Sequence, residues 1–178
     1  MRFVVDTANQ VIAAHGGTPL DFTDVGRMTG LPIEDIFRAA WPDLSDADAV
    51  TYRTEYRGIY DEVAIPATRL YRGARTTLRA FHRAGLLQAT VTGKRAADCE
   101  RILRGLGLGR EIDAYLGGDS AARPKPAPDL ALAAMERLGV TPAQSAVIGD
   151  TRTDMRMARA SGALAVQVLW GVEHERVP

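Results

Sequence analysis

The sequence predicts an α/β protein, a parallel sheet with helices on both faces, carrying a small inserted helical module. Three observations predict it. Residues 86–169 alternate short apolar runs with amphipathic helical stretches, the pattern of strands joined by crossover helices. Residues 7–83 carry helical spacing alone, broken by Pro19, Gly30-Leu31-Pro32, Trp41-Pro42 and Ile65-Pro66. In the second half, the residues able to do chemistry follow directly on the ends of the apolar runs, where open parallel sheets bind ligands.

The totals are consistent with this. A chain of 178 residues suits one compact domain or a core with an appended module. Formal net charge is zero, so there is no basic field for nucleic acid or an anionic membrane. No apolar run approaches the ~18 residues of a membrane span, and the N-terminus has no long apolar signal segment. The single cysteine, Cys99, excludes an internal disulfide and fits a reducing cytoplasm. Of 22 basic residues only Lys94 and Lys125 are lysines. A lysine kept against an arginine bias points to a site that needs a compact ammonium.

The elements follow in order. Helices are expected over 8–15, 22–28, 32–40, 46–63 and 73–84. Tyr52, Tyr56 and Tyr60 fall at i, i+4 and i+8 and, with Phe37 and Trp41, are expected to pack the helical module. A strand is expected over 86–92, then a helix over 95–106 ended by Gly107. A brief strand over 114–116 stops at Gly117-Gly118-Asp119. A helix over 128–138 has Pro at its start and Gly139 after its end. A strand over 146–148 leads to Gly149-Asp150, a helix spans 153–160, and a last strand spans 164–169. The expected division is a core of residues 1–6 and 69–178 with a helical module of residues 7–68. His15, His82 and His174 are dispersed and suggest neither a triad nor a zinc site.

Three strand ends carry candidate chemistry: Thr92-Gly93-Lys94, Lys125 within "GGDSAARPKP", and Asp150 and Asp154 within "GDTRTD". Thr92 and the following amides are able to donate to a phosphate, and Lys125 to neutralise it. Asp150 and Asp154, at i and i+4 across a strand-to-helix turn, offer oxygens to Mg²⁺. Phosphoryl transfer needs mainly this positioning and charge neutralisation. Bland roles compete at each position: a turn for Thr92, a helix cap for Asp150 or Thr151, a dipole-facing acid for Asp154, and a solvated loop for Lys125.

"VTGK", "RPKPAPD" and "VIGDTRTDMRMARASGA" resemble the second, third and fourth motifs of the haloacid dehalogenase superfamily, in the branch of phosphoglycolate-phosphatase-like and β-phosphoglucomutase-like proteins. "GLPIEDIFRAAWP" resembles part of that branch's helical cap, and "TRLYRGARTTLRAFHRAG" its return to the core. The resemblance implies a Rossmann-like core with a small helical cap. It implies phosphate binding by Thr92, pairing of Lys125 with phosphate and nucleophile, ligation of Mg²⁺ by Asp150, and support of the metal site by Asp154. It also implies a small phosphorylated metabolite as partner.

The first motif departs. That family carries a strand followed by Asp-x-Asp-Gly-Thr, whose first Asp is the nucleophile and second the general acid/base; this chain has no such string. Two alignments compete. In one, residues 1–5 form the strand, Asp6 is nucleophile and metal ligand, and Ala8 takes the acid/base position, as in phosphonatases of the superfamily. In the other, "VVDTA" matches the later part of "DxDGTLVDTA", and Asp6 is the N-cap of a helix running from about Thr7. The second alignment leaves the central strand truncated or degenerate. Four buried apolar side chains there would contribute about 1.5–3 kcal/mol each, so Phe3-Val4-Val5 is expected to fill part of the gap.

Three readings of function follow. The chain is an Mg²⁺-dependent phosphatase of a small phosphorylated metabolite with Asp6 conscripted as nucleophile. Or it is a catalytically degenerate member, acting as a binding or regulatory module or catalysing a reaction without an aspartyl-phosphate. Or it is an N-terminally truncated form of an ordinary phosphatase. Poor turnover of generic phosphate esters is expected, in a cytoplasmic monomer or homodimer with no nucleic acid or membrane partner.

Overall fold

A computed structural model describes residues 2–28 and 33–171. Two compact units divide the chain, Met1–Arg69 and Leu70–Pro178. Gly30-Leu31-Pro32 and His174 lie outside the described residues.

The first unit is helical: α1 (Arg2–Ala14), α2 (Phe22–Arg27), α3 (Ile33–Ala40) and α4 (Asp46–Ala67). α1 packs on α4 and α3. Val5, Ala8, Val11 and Ile12 form its buried stripe, a 3.6-residue period that takes in the N-terminal apolar run. Phe3 meets Tyr60 of α4 with ring centroids 5.6 Å apart. The tyrosine stripe packs this unit as expected. Tyr56 and Tyr60 are buried, and Phe37 meets Tyr52 and Tyr56 edge-on at 5.9 and 6.3 Å. Ser45 caps α4 by accepting from the Asp48 amide at 3.1 Å. α4 runs four residues past the expected end, through Pro66 to Ala67. The Thr68 amide and hydroxyl close it by donating to the Ala64 carbonyl.

This unit corrects the expectations for the N-terminus. Phe3-Val4-Val5 is helical, not a strand, and fills no gap in a sheet. Asp6 ends no strand and caps no helix, because α1 begins at Arg2 and Asp6 is an exposed residue of its interior. A three-residue apolar run suits either a strand or one face of a helix. Here the partner decides, because α1 packs on α4, with Phe3 against Tyr60 and Val5 buried.

The second unit is α/β, in the order α5 (Ala74–Arg83), β1 (Ala89–Val91), α6 (Ala96–Gly105), β2 (Ala114–Leu116), α7 (Asp129–Leu138), β3 (Ala146–Gly149), α8 (Arg152–Ser161) and β4 (Leu164–Gln167). The strands are parallel and make two pairs. β1 pairs with β2, Ala89 opposite Ala114, and β3 with β4, Ala146 opposite Leu164. The pairs are not hydrogen-bonded to each other. One core lies behind both, where Leu116, Leu130, Ala134, Met135, Val147, Met157 and Ala158 pack together. No N-terminal strand joins them among the described residues.

β1 is shorter than the expected 86–92. Gly85, at φ 77°, ends α5 in a Schellman closure, in which the Leu86 amide donates to Phe81 O at 3.0 Å and the Gly85 amide to His82 O at 3.0 Å. Leu86 is thereby spent on the helix end, and the Gln88 amide goes to the Asp113 carboxylate at 2.7 Å. The last strand likewise stops at Gln167, short of residue 169.

Candidate functional site

The loops after the four strands of the α/β unit are knitted into one rim. After β1, the Thr92 hydroxyl accepts from the Lys94 amide at 3.2 Å, which folds Thr92-Gly93-Lys94 into a tight turn. After β2, the Gly118 amide donates to Lys94 O at 2.8 Å, and Asp119 accepts from the Ala96 amide at 2.9 Å, satisfying the first free N–H of α6. Gly117 makes this approach possible: a Cβ there would lie 2.2 Å from Ala96 N and 2.3 Å from Lys94 O.

The same loop reaches the third strand end through Lys125, whose Nζ donates to Asp154 Oδ1 at 2.7 Å. The side chains are 21% and 9% exposed, so the pair is well shielded from water. Asp154 Oδ2 accepts from the Thr151 hydroxyl at 2.6 Å and amide at 3.1 Å, while the Asp154 amide returns to Thr151 Oγ1 at 3.2 Å. That reciprocal pattern is a capping box at the start of α8. Burial pushes the Asp154 carboxyl up, but the Lys125 ammonium and the Thr151 donors outweigh it and hold it below the usual carboxylate range. The cap of α8 is therefore Thr151, not Asp150. Asp150 stands half-buried between β3 and that cap.

Lys125 and Asp154 are thus brought into contact, and the Thr92–Lys94 turn is joined to the Lys125 loop through Gly117 and Gly118. Asp6 belongs to the other unit. Sequence reasoning did not single out Asp119, Gly117 or Gly118 as parts of the rim. The "GGD" string that ended the second strand was the available signal.

Both oxygens of Asp154 are engaged by Lys125 and Thr151, and no group of three His, Cys, Asp or Glu side chains is gathered among the described residues. Mg²⁺ keeps several waters and takes one or two carboxylates plus substrate phosphate. A single protein carboxylate at Asp150 beside a rim of hydroxyl, amide and ammonium donors fits that habit, and fits Zn²⁺ or Ca²⁺ cages poorly.

A parallel α/β unit with polar and charged side chains at the carboxyl ends of its strands is of the Rossmann-like class. The profile of the haloacid dehalogenase-like hydrolase family matches residues 1–168, and the chain belongs to that family. It is 32% identical over 166 residues to the "probable phosphatase IndB" of Dickeya dadantii, spanning 92% of this chain but only 66% of that protein. It is 31% identical over 173 residues to a phosphoglycolate phosphatase of Xylella fastidiosa, 97% of this chain and 76% of that one. A crystal structure from Haemophilus somnus, described as a predicted phosphoglycolate phosphatase, superposes with a TM-score of 0.88 at 20% identity, covering 97% of this chain and 80% of that one. At that identity the superposition speaks for the fold alone.

Proposed function

We propose that the α/β unit binds the phosphate group of a small phosphorylated metabolite together with Mg²⁺, and that this 178-residue chain turns phosphate esters over poorly or not at all. The observation that carries the reading is the Lys125–Asp154 pair joined to the Thr92–Lys94 turn, set against an Asp6 that sits inside a helix. In this reading the Thr92 hydroxyl and the Gly93 amide donate to phosphate oxygens, and the Lys94 amide joins them once it turns from the Thr92 hydroxyl to the ligand. Lys125 supplies the compensating charge, and Asp154 holds its ammonium in place. Asp150 ligates Mg²⁺, which when bound neutralises phosphate charge and polarises the phosphoryl group. Residues 7–68 act as the cap in this reading, and the lone cysteine supports a cytoplasmic location.

The names of the relatives make phosphoglycolate the first metabolite to try. Calorimetric titration with phosphoglycolate and Mg²⁺ is expected to give saturable binding that Thr92→Val weakens. Assayed with p-nitrophenyl phosphate and Mg²⁺, the chain is expected to show little hydrolysis. Rapid hydrolysis abolished by Asp6→Asn would restore Asp6 as nucleophile and overturn the reading. Rapid hydrolysis indifferent to Asp6→Asn would overturn it too, in favour of another nucleophile.

The second reading, a phosphatase with Asp6 as nucleophile, draws on the intact rim. The helical setting of Asp6 weighs against it.

A further inference from the structure

The fourth strand end also takes part in the rim. The chain leaving β4 runs on beside β3, with the Val168 amide donating to Gly149 O at 2.9 Å, and then turns so that Gly171 comes up against Asp150. A Cβ at Gly171 would lie 2.0 Å from Asp150 Oδ2, 2.3 Å from its Cβ and 2.4 Å from its Cγ. The φ of Gly171 is not in the left-handed region, so the requirement is for space and not for backbone freedom. Rotation of the carboxylate relieves the contact with Oδ2 but not the one with Cβ, which moves only with the backbone of Asp150. That backbone leads straight into Thr151, the cap of α8 and partner of Asp154.

We infer that Gly171 is a positioning residue for Asp150. Its bare Cα forms the wall against which the Asp150 side chain is seated, and so it sets where that carboxylate meets Mg²⁺. The inference rests on the reading of Asp150 as the metal ligand. Partners that orient a metal ligand are worth 10–100-fold in metal affinity, and the same range is expected here.

The test is Mg²⁺ titration of the full chain by calorimetry, with Mn²⁺ followed by electron paramagnetic resonance so that weak binding stays measurable. Gly171→Ala is expected to weaken binding at least tenfold. Asp150→Asn is expected to do the same, and the double variant to bind no more weakly than Asp150→Asn alone. Gly58→Ala, which adds the same methyl where nothing lies within 4 Å, is expected to leave affinity unchanged. Wild-type affinity in Gly171→Ala, with Asp150→Asn impaired, overturns the inference alone. A double variant much weaker than Asp150→Asn overturns it as well, because Gly171 would then act elsewhere. Unchanged affinity in Asp150→Asn overturns the metal reading and this inference with it. Should Gly171→Ala not fold, pairing it with Asp150→Gly decides: recovery of the far-UV dichroism puts the conflict at Asp150, and no recovery overturns the inference.

Discussion

In the helical unit Val11, Ile12, Val25 and Phe37 are less than 2% exposed, whereas in the α/β unit Leu164 is 66%, Ile148 53% and Val166 37% exposed. The contrast follows from how each kind of element satisfies itself. A helix pairs its own backbone and needs only one covered stripe, so four helices suffice to close a core around Phe37. A parallel strand needs hydrogen-bonded neighbours and apolar cover on both faces. The β3–β4 pair has its Val147 side covered by α7 and α8 and shows Ile148 and Val166 on the other. α5 buries none of its residues, and Leu86 and Leu87 beside β1 are 53% and 52% exposed. Helices therefore complete a small unit piece by piece, whereas a sheet divided into two pairs leaves apolar surface open on a unit whose other face is well packed.

The largest expected effect sets one unit directly against the other. Phe37→Ala should destabilise the helical unit by about 3–5 kcal/mol, while Ile148→Ala in the α/β unit should change stability by no more than about 0.5 kcal/mol. Urea unfolding followed at Trp41 in the first unit and Trp170 in the second reads the two separately. A comparable cost at Ile148 would mean that the strand face is covered and would break the contrast.

Next comes the well-shielded Lys125–Asp154 ion pair of the rim. Lys125→Met should cost the α/β unit about 2 kcal/mol at pH 7, the scale of a hydrogen bond to a charged group. The Asp154 carboxyl is held below its ordinary value. Its contribution is therefore complete above the unfolded carboxylate pKa of about 3.9 and is lost as pH falls through the lower folded value. The gap between wild type and Lys125→Met should be full at neutral pH and close in acid, as measured by unfolding at a series of pH values. A gap that persists once the carboxylate is protonated would assign the loss to packing of the lysine stem.

The two caps give a smaller and sharper comparison. Ser45→Ala at the start of α4 and Thr151→Ala at the start of α8 should each cost about 1 kcal/mol. Thr151→Ala alone should also weaken phosphoglycolate binding, because Thr151 holds the carboxylate that holds Lys125. Calorimetry on both variants tests this, and equal binding in the two would detach the cap from the site. The smallest effect is a gain. Gly58→Ala within α4, with open space at its Cβ, should stabilise the helical unit by about 0.5–1 kcal/mol in the same urea experiment.

Much of this was legible beforehand, for local reasons. Gly107 and Gly139 marked helix ends correctly because a left-handed residue after a helix is a short-range requirement. The tyrosine stripe of α4 was read correctly because its period is a property of the helix. The rim residues Thr92, Lys125 and Asp154 were located by their places after apolar runs. The strand alignment misread the N-terminus, and the helix alignment was right about the helix from Thr7 but wrong about its start and about Asp6 as its cap, because a run as short as Phe3-Val4-Val5 does not distinguish a strand from a helix face. Either way the reading had to assume a partner. Leu86 and Leu87 were counted as strand because apolarity does not reveal that a helix closure will claim the first amide.

By itself, then, the sequence determined the alternation of strands and helices, the helical character of residues 7–68 and the residue types at the strand ends, since each depends on neighbours a few positions away. Only the tertiary structure decided that α1 begins at Arg2, that Lys125 spends its ammonium on Asp154 29 residues away, and that Gly171 abuts Asp150. It alone decided that the strands pair two by two. The physical reason is common to all four. Each is settled by which distant surface a residue meets, and a period of 2 or 3.6 residues carries no record of that partner.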